Sequence, residues 1–367
     1  MKIGILTYHR VYNYGATLQA IATRLFLSKN GHQAYYIDYY PAYHRKSYRP
    51  FDLDGLRKRT FIKKVHYLYI CCKHYTSKKK RIDKYRPFVE KHIVPYCKKS
   101  LNEQYDAIIY GSDQIWRKQS GLSQNFNPIY FGINDFQCKK HISYAASMGT
   151  VSLKEEDKEF LKNALHKFDA IGVREEDLYS VLKGLKLSHL QQTIDPTLLL
   201  ESKEWDEVLR PKRIIKEPYV LYYNVRTSFS NRYIFDFCKQ KKLKLVKVNS
   251  FGHPLGSTYN PDPEEFISLI KYADVVLTSS FHGLAFSIIY QKDFWASTSS
   301  NSGRLRNLME RLDMIERFIM PNSPIPIDTP PIKYPEVYTK LQEFKKKSET
   351  FLIDALFTSS NNQTDNY

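Results

Sequence analysis

The sequence predicts an α/β protein built on parallel sheet, and three observations predict it. Short apolar, β-branched segments alternate with amphipathic ones. The first three elements form a strand, helix, strand unit closed by a short loop. Polar residues recur where the strands end. Two strands joined through a helix run in the same direction, which makes the sheet parallel. The chain has 367 residues, enough for two domains of ordinary size.

Residues 2–8 read as the first strand and 9–14 as a loop. Gly15 then opens a helix whose Leu18, Ile21, Ala22, Leu25 and Phe26 share one side. Asn30-Gly31 ends it, and residues 34–39 are the second strand. Residues 56–77 read as a helix with Phe61, Ile62, Val65, Leu68, Tyr69 and Cys72 along one face, followed by a second helix at 82–92. That apolar stripe is expected to pack on its own domain, with an anionic membrane surface as the alternative. Strands follow at 106–110, 141–146 and 170–173, with a helix at 155–167 before the last. The strands end in Gly111-Ser112-Asp113-Gln114, Ser147-Met148-Gly149 and Arg174-Glu175-Glu176. Open α/β sheets bind ligands at such ends, so these turns suggest one crevice.

Residues 193–197 mark the crossing to a second domain, whose sheet begins at 219–224. A helix at 231–241, a strand at 243–248 and a helix at 263–272 come next. Residues 274–278 are a short buried strand leading to Ser279 and Ser280, whose hydroxyls can cap a helix N-terminus. Gly283 relaxes the turn, and 284–289 continue as a buried helix. His282 stands in that turn, so two hydroxyls, an imidazole and a helix dipole meet within five residues. Capping and packing alone would also account for them. A helix at 301–312 carries Arg304, Arg306 and Arg311. A Pro-rich connector (321–335), a charged helix near 337–356 and a polar, disordered tail from Thr358 complete the chain.

The composition excludes several classes. No apolar run approaches the roughly 20 residues that span a bilayer, and residues 1–8 carry no secretory signal pattern. The five cysteines form no C-x-x-C pair, which argues for a reducing, cytoplasmic setting and against a metal site. Net charge is +18, and residues 57–99 alone hold 15 Lys or Arg against two acids. Such a block suits an anionic lipid or substrate, or is a solvated face. No recognition motif accompanies it, so nucleic acid is not expected as a partner.

MKIGILTYHRVYNYGATLQA, DAIIYGSDQIW, SYAASMG, DAIGVREE, DPTLLL, ADVVLTSSFHGLAFS and NSGRLRNLMERL occur in that order. Together they resemble the polysaccharide pyruvyl transferase family over about residues 1–320. The resemblance implies two Rossmann-like domains facing a cleft, as in glycosyltransferase-B enzymes. Residues 1–197 would be the acceptor side with the basic segment 56–99, residues 198–320 the donor side, and 321–367 the connector, helix and tail. It implies transfer of the pyruvyl unit of phosphoenolpyruvate to two hydroxyls of a sugar in a cell-surface polysaccharide precursor. A ketal forms and phosphate leaves. Phosphoenolpyruvate is then a substrate, no cofactor is expected, and the acceptor is a lipid-linked sugar.

His282 matches the family's motif histidine, as donor-binding residue or general acid, and Asp113 is the candidate base. Arg174, Ser279, Ser280, Gly283, Arg304 and Arg306 would hold the donor. Asn13, Tyr14, Gly15, Gln114 and Trp116 would face the acceptor. Ser280 stands where better-known members carry an arginine. A nucleotide-sugar glycosyltransferase on the same fold, or a non-catalytic glycan- or membrane-binding protein, are the competing readings.

Overall fold

The computed structural model describes residues 1–47, 60–98, 103–119, 125–225, 229–249, 258–298 and 303–358. The expected helix start at 56–59, the helix start at 301–302 and the tail from 359 lie outside the described residues.

The first sheet has seven parallel strands: β1 (Lys2–Leu6), β2 (Gln33–Ile37), β3 (Cys97–Lys98), β5 (Ala107–Tyr110), β7 (His141–Ala146), β8 (Ala170–Val173) and β9 (Leu190–Gln192). Their order is β3-β2-β1-β5-β7-β8-β9, and the short β4 (Gln104–Tyr105) and β6 (Gln137–Cys138) pair beside it. The second sheet is β11-β10-β12-β13, formed by β10 (Tyr219–Asn224), β11 (Lys244–Asn249), β12 (Val275–Thr278) and β13 (Asp293–Ala296), again all parallel. The helices are α1 (Tyr14–Lys29), α2 (Ala42–Ser47), α3 (Phe61–His92), α4 (Glu155–Leu165), α5 (Glu176–Gly184), α6 (Ser202–Leu209), α7 (Asn231–Lys241), α8 (Pro263–Lys271), α9 (Phe281–Ile289), α10 (Arg304–Arg311) and α11 (Tyr334–Phe357). Two parallel α/β halves are thus present, as expected. Strands β3, β4, β6, β9 and β13 and helices α2, α5 and α6 are additions, short pieces stabilised by tertiary partners rather than by their own periodicity.

The two halves share one apolar core, which runs from Ile3, Leu18 and Tyr36 through Trp205 to Val276 and Leu284. Tyr14 stacks on Phe266 of α8 at 4.3 Å, and its hydroxyl donates to Pro261 O at 2.7 Å. Helix α11 belongs spatially to the first sheet. Phe351 approaches Gly172 of β8, Ser348 Oγ accepts from Ile194 N at 2.9 Å, and Lys140 Nζ donates to Ala355 O and Leu356 O at 3.0 and 2.7 Å. A lysine there satisfies carbonyls that the last turn of a helix leaves open.

The basic segment differs from expectation twice. It forms one 32-residue helix rather than two, because Lys78–Arg81 are good helix formers and nothing there breaks the turn. Its apolar stripe is not packed: Phe61 is 80% exposed, Ile62 81% and Val65 53%. Among the described side chains of this helix, buried Arg81, Ile82, Tyr85 and Phe88, all in its second half, join the body.

Two measurements test this packing. Leu352→Ala should cost about 2–5 kcal/mol, read as a lower urea midpoint at unchanged slope; a loss under about 0.5 kcal/mol would show that α11 is not docked. The second concerns His9, which is buried and stacked on Tyr36. Burial pushes its imidazole down to about 4, against the hydrogen bond to Thr7. The unfolded chain then binds more protons, so stability rises with pH between about 4 and 6.5 and falls on acidification through that window. His9→Phe should flatten that part of the profile; an unchanged slope would assign it to another group.

Candidate functional site

The site forms where the C-terminal ends of the two sheets meet. Strand β12 passes through Ser279 and Ser280 into α9. Ser280 is the N-cap, its hydroxyl accepting from Gly283 N at 3.4 Å. Ser279 acts elsewhere, since its Oγ accepts from Val225 N at 3.1 Å and ties the end of β10 to that of β12. Gly283 is not a turn residue but lies inside the helix. A Cβ there would stand 2.3 Å from Thr278 Oγ1, so only glycine lets the helix close on its strand.

His282 occupies the first turn of α9 and is 9% exposed. Its ring presses on the first turn of α1: a Cβ on Gly15 would stand 1.9 Å from Nδ1. On its other edge, Nε2 lies 3.7 Å from Asp195 Oδ2, close enough for charge attraction but too long for a hydrogen bond. Two helix N-termini therefore meet around one imidazole. The dipoles favour an anion there, and Asp195 sets a carboxylate against the other edge of the ring.

Asp195 is the hub, and sequence reasoning gave it no role beyond the domain crossing. It is 1% exposed. Its Oδ2 accepts from Arg174 Nη1 at 2.6 Å and Ser112 Oγ at 3.3 Å. Its Oδ1 accepts from Thr197 N and Oγ1 at 3.0 and 2.7 Å. Burial alone would push the carboxyl up, but the attraction of His282 and Arg174 and the Thr197 hydrogen bonds hold it well below the carboxylate range. The signal in the sequence was Asp-Pro-Thr, a carboxylate capping a turn with Pro at its first position.

Arg174 is buried at 7% exposure, and its fork is engaged inside the protein. Besides Asp195, it donates through Nη2 to Ser147 Oγ at 2.9 Å and lies 3.6 Å from Glu175 Oε1. Glu175 in turn accepts from the Ser147 hydroxyl and stands 3.9 Å from Arg304 Nε. Arg304, at the start of α10, reaches across to the first sheet: in the amide orientation that satisfies both groups, the Gln114 oxygen accepts from Nη1 and Nη2 at 2.8 and 2.6 Å. The Arg174 fork is thus taken up by protein groups, and Arg304 is the more exposed of the two arginines.

The remaining candidates divide. Asp113 is half-buried at a left-handed φ of 58°, a conformation Asp tolerates, and its Oδ1 accepts from Gln114 N at 2.7 Å. Its charge acts on Arg174 and on His44. Asn13 is exposed and caps α1 by accepting from Ala16 N. Three expectations fail on geometry. Tyr14 is buried between the halves, as described above. Trp116 is fully buried, stacked on Phe131 with its N–H given to Tyr130 O at 2.8 Å, so it has no face for a sugar. Arg306 is exposed, paired with Glu310 at 2.7 Å, and does not join the cluster.

An aromatic wall, not anticipated from the sequence, stands beside Asp113. Tyr8 donates to Gln114 O at 3.1 Å, and its ring meets His44 edge-on at 4.1 Å and Tyr130 at 5.4 Å. Asn127 Nδ2 donates to the hydroxyls of Tyr39 and Tyr43 at 2.9 and 3.2 Å. Tyr39, Tyr43 and His44 remain half-exposed. Burial pushes the His44 imidazole down to about 4, against the pull of Asp113, so it is neutral around pH 7. Among the described residues, no group of three His, Cys, Asp or Glu is placed to hold a metal ion.

The Gly15 contact is testable. Gly15→Ala should keep α1 helical, since Ala is the better helix former, while displacing His282. Its imidazole resonances should move with circular dichroism unchanged; unmoved resonances would mean that the ring does not rest there.

No curated protein matches the chain in sequence. Among solved structures it is similar to UDP-GlcNAc 2-epimerase from Methanocaldococcus jannaschii, at 11% identity and a TM-score of 0.46, covering 93% of this chain and 92% of that one. The Neisseria meningitidis UDP-GlcNAc 2-epimerase gives 9% identity and 0.46, covering 98% and 100%. An uncharacterised protein from Klebsiella pneumoniae gives 15% and 0.38, covering 65% and 87%. The sequence profile of one family, polysaccharide pyruvyl transferase, matches residues 13–301. That span includes Gly15, Asp113, Arg174, Asp195 and His282, and the chain belongs to the polysaccharide pyruvyl transferase family.

Proposed function

We propose that this pyruvyl transferase takes its pyruvyl unit from phosphoenolpyruvate and sets it as a ketal on two hydroxyls of one sugar. The acceptor is a lipid-linked precursor of a surface polysaccharide, and the enzyme works in the cytoplasm. One observation carries the reading. His282 is held between Gly15 and Asp195 where two helix N-termini meet, and Asp195 is linked through Arg174 and Glu175 to Arg304. That is an acid–base group inside an anion site, which an enol phosphate with a carboxylate requires.

In this reading the amides of α1 and α9 and the Arg304 guanidinium bind the phosphate and carboxylate. Each charge-assisted hydrogen bond is worth roughly 1.5–3 kcal/mol. His282 gives a proton to the methylene carbon as the first sugar hydroxyl bonds to the adjacent carbon, and Asp113 takes that hydroxyl's proton. The second hydroxyl then attacks the same carbon, the carbon–oxygen bond to phosphate breaks, and the second proton leaves with phosphate. Asp195 stands against the imidazole that gives the proton, and Arg174 keeps Asp195 charged and aimed. Asp113 lies beside the wall of Tyr39, Tyr43 and His44, whose rings and hydroxyls suit a sugar face and its edge.

Incubation with phosphoenolpyruvate and a panel of soluble and lipid-linked glycans should add one pyruvyl mass per phosphate released. His282→Gln should lower turnover about 10²–10⁴-fold in a folded protein, and Arg304→Ala should raise the KM for phosphoenolpyruvate. Turnover of a nucleotide sugar, with no pyruvyl adduct on any acceptor, would replace this reading with glycosyl transfer.

A further inference from the structure

We propose that the first half of α3 is a membrane-docking helix that lays its apolar stripe on an anionic lipid surface. The inference rests on the reading above only for what the cleft does once docked. Phe61, Ile62, Val65 and Leu68 are 80%, 81%, 53% and 39% exposed, and Tyr69 is 62% exposed. With about 100° of rotation per residue, these positions fall on one face. Four consecutive stripe positions at this exposure are not the scattered apolar residues of an ordinary surface. Most helical stability in proteins comes from packing an apolar face, so a surface that covers the stripe would also stabilise this stretch.

Charge decides what that surface is. From Phe61 to Arg81 the helix carries Lys63, Lys64, Lys73, Lys78, Lys79, Lys80 and Arg81, and no Asp or Glu. On the helical wheel Lys64 flanks the stripe, and Lys79 and Lys80 prolong its side toward the body. A second copy of this helix would set like charges against each other across the contact, and a neutral apolar groove would leave them unmatched. An anionic lipid interface matches both parts: acyl chains take the stripe, and headgroups take the lysines beside it. The helix is not a membrane span, since no described helix is long and apolar enough to cross a bilayer.

Its attachment points give the docking a purpose. The exposed half joins the body where Tyr85 OH donates to Thr17 Oγ1 of α1 at 2.8 Å and Arg81 Nη2 donates to Asn249 O, the last residue of β11, at 2.6 Å. Lys91 and His92 then reach Glu264 of α8 at 2.8 and 3.0 Å. The helix thus spans both halves close to the turn of α1 that carries Gly15, and a membrane under its free half lies near the cleft.

The test uses the full chain and needs no turnover. Co-sedimentation with phosphatidylglycerol/phosphatidylcholine vesicles at low salt should bind the protein, pure phosphatidylcholine should not, and raised salt should release it. The combined Phe61→Ser, Ile62→Ser and Val65→Ser variant should bind at least about tenfold more weakly. So should a combined Lys63→Glu, Lys64→Glu, Lys79→Glu and Lys80→Glu variant. Both should keep wild-type circular dichroism and full activity on a soluble acceptor while losing activity on a vesicle-held one. Three results would overturn the inference: no binding to anionic vesicles at low salt, equal binding to both vesicle types, or a dimer in sedimentation equilibrium that the serine variant dissociates. Vesicle binding without pyruvyl transfer would leave the docking helix standing and remove only the reaction assigned to the cleft.

Discussion

The buried pair between Arg174 and Asp195 is the constraint on which the rest of the site depends. Neither side chain is more than 7% exposed. Two charges taken out of water are tolerable only when attraction and hydrogen bonds replace their hydration, and breaking one such partner typically costs about 3–5 kcal/mol. Here the replacement is nearly complete on the carboxylate, which accepts from Arg174, Ser112 and Thr197. Those partners come from the end of β8, the turn after β5 and the segment leaving the first sheet. The pair therefore fixes three turns relative to one another, and His282 is aimed by what they leave open.

The second constraint is steric. Gly15 and Gly283 are both places where a methyl group has no room, one against His282 and one against Thr278. Gly15 lets the first turn of α1 close on the ring of α9, and Gly283 lets α9 close on β12, which together bring two positive helix ends to one point. Such convergence is costly without an anion to receive it. The continuous core beneath, with Tyr14 stacked on Phe266, holds it in place. In a two-lobed α/β protein this lowers the ordering that a donor must induce on binding, because the donors of the pocket are already close.

Charge is distributed by the same logic at a larger scale. In the site, Arg174 is matched by the Asp195 carboxylate, and Arg304 by Glu175 and the Gln114 amide. On α3, Lys63, Lys79 and Lys80 are exposed, and the stretch from Phe61 to Arg81 holds no acid. The first arrangement sets geometry at short range, where burial keeps the interaction strong. The second acts at the surface, where salt screens it within roughly 10 Å.

The sequence by itself determined the parallel α/β plan. Strand and helix periods are local properties, and the eight principal strands fell close to their expected places. It also determined the family's motif order and, through it, the turn that carries His282. The tertiary structure decided everything that depends on what covers a side chain. Trp116 and Tyr14 read as cleft aromatics but are core, because neighbours distant in sequence (Phe131 for one, Phe266 for the other) bury them. The stripe from Phe61 reads as core, yet Phe61, Ile62 and Val65 are exposed, because the fold brings no other element among the described residues over them. Arg174 was legible as a site candidate, yet its partner Asp195 lies 21 residues further along the chain, and only folding brings a carboxylate oxygen to its guanidinium, whereas the bonds from Thr197 to Asp195 are local. Periodicity records which face of an element is apolar; it holds no information about which distant element, or which solvent, will meet that face.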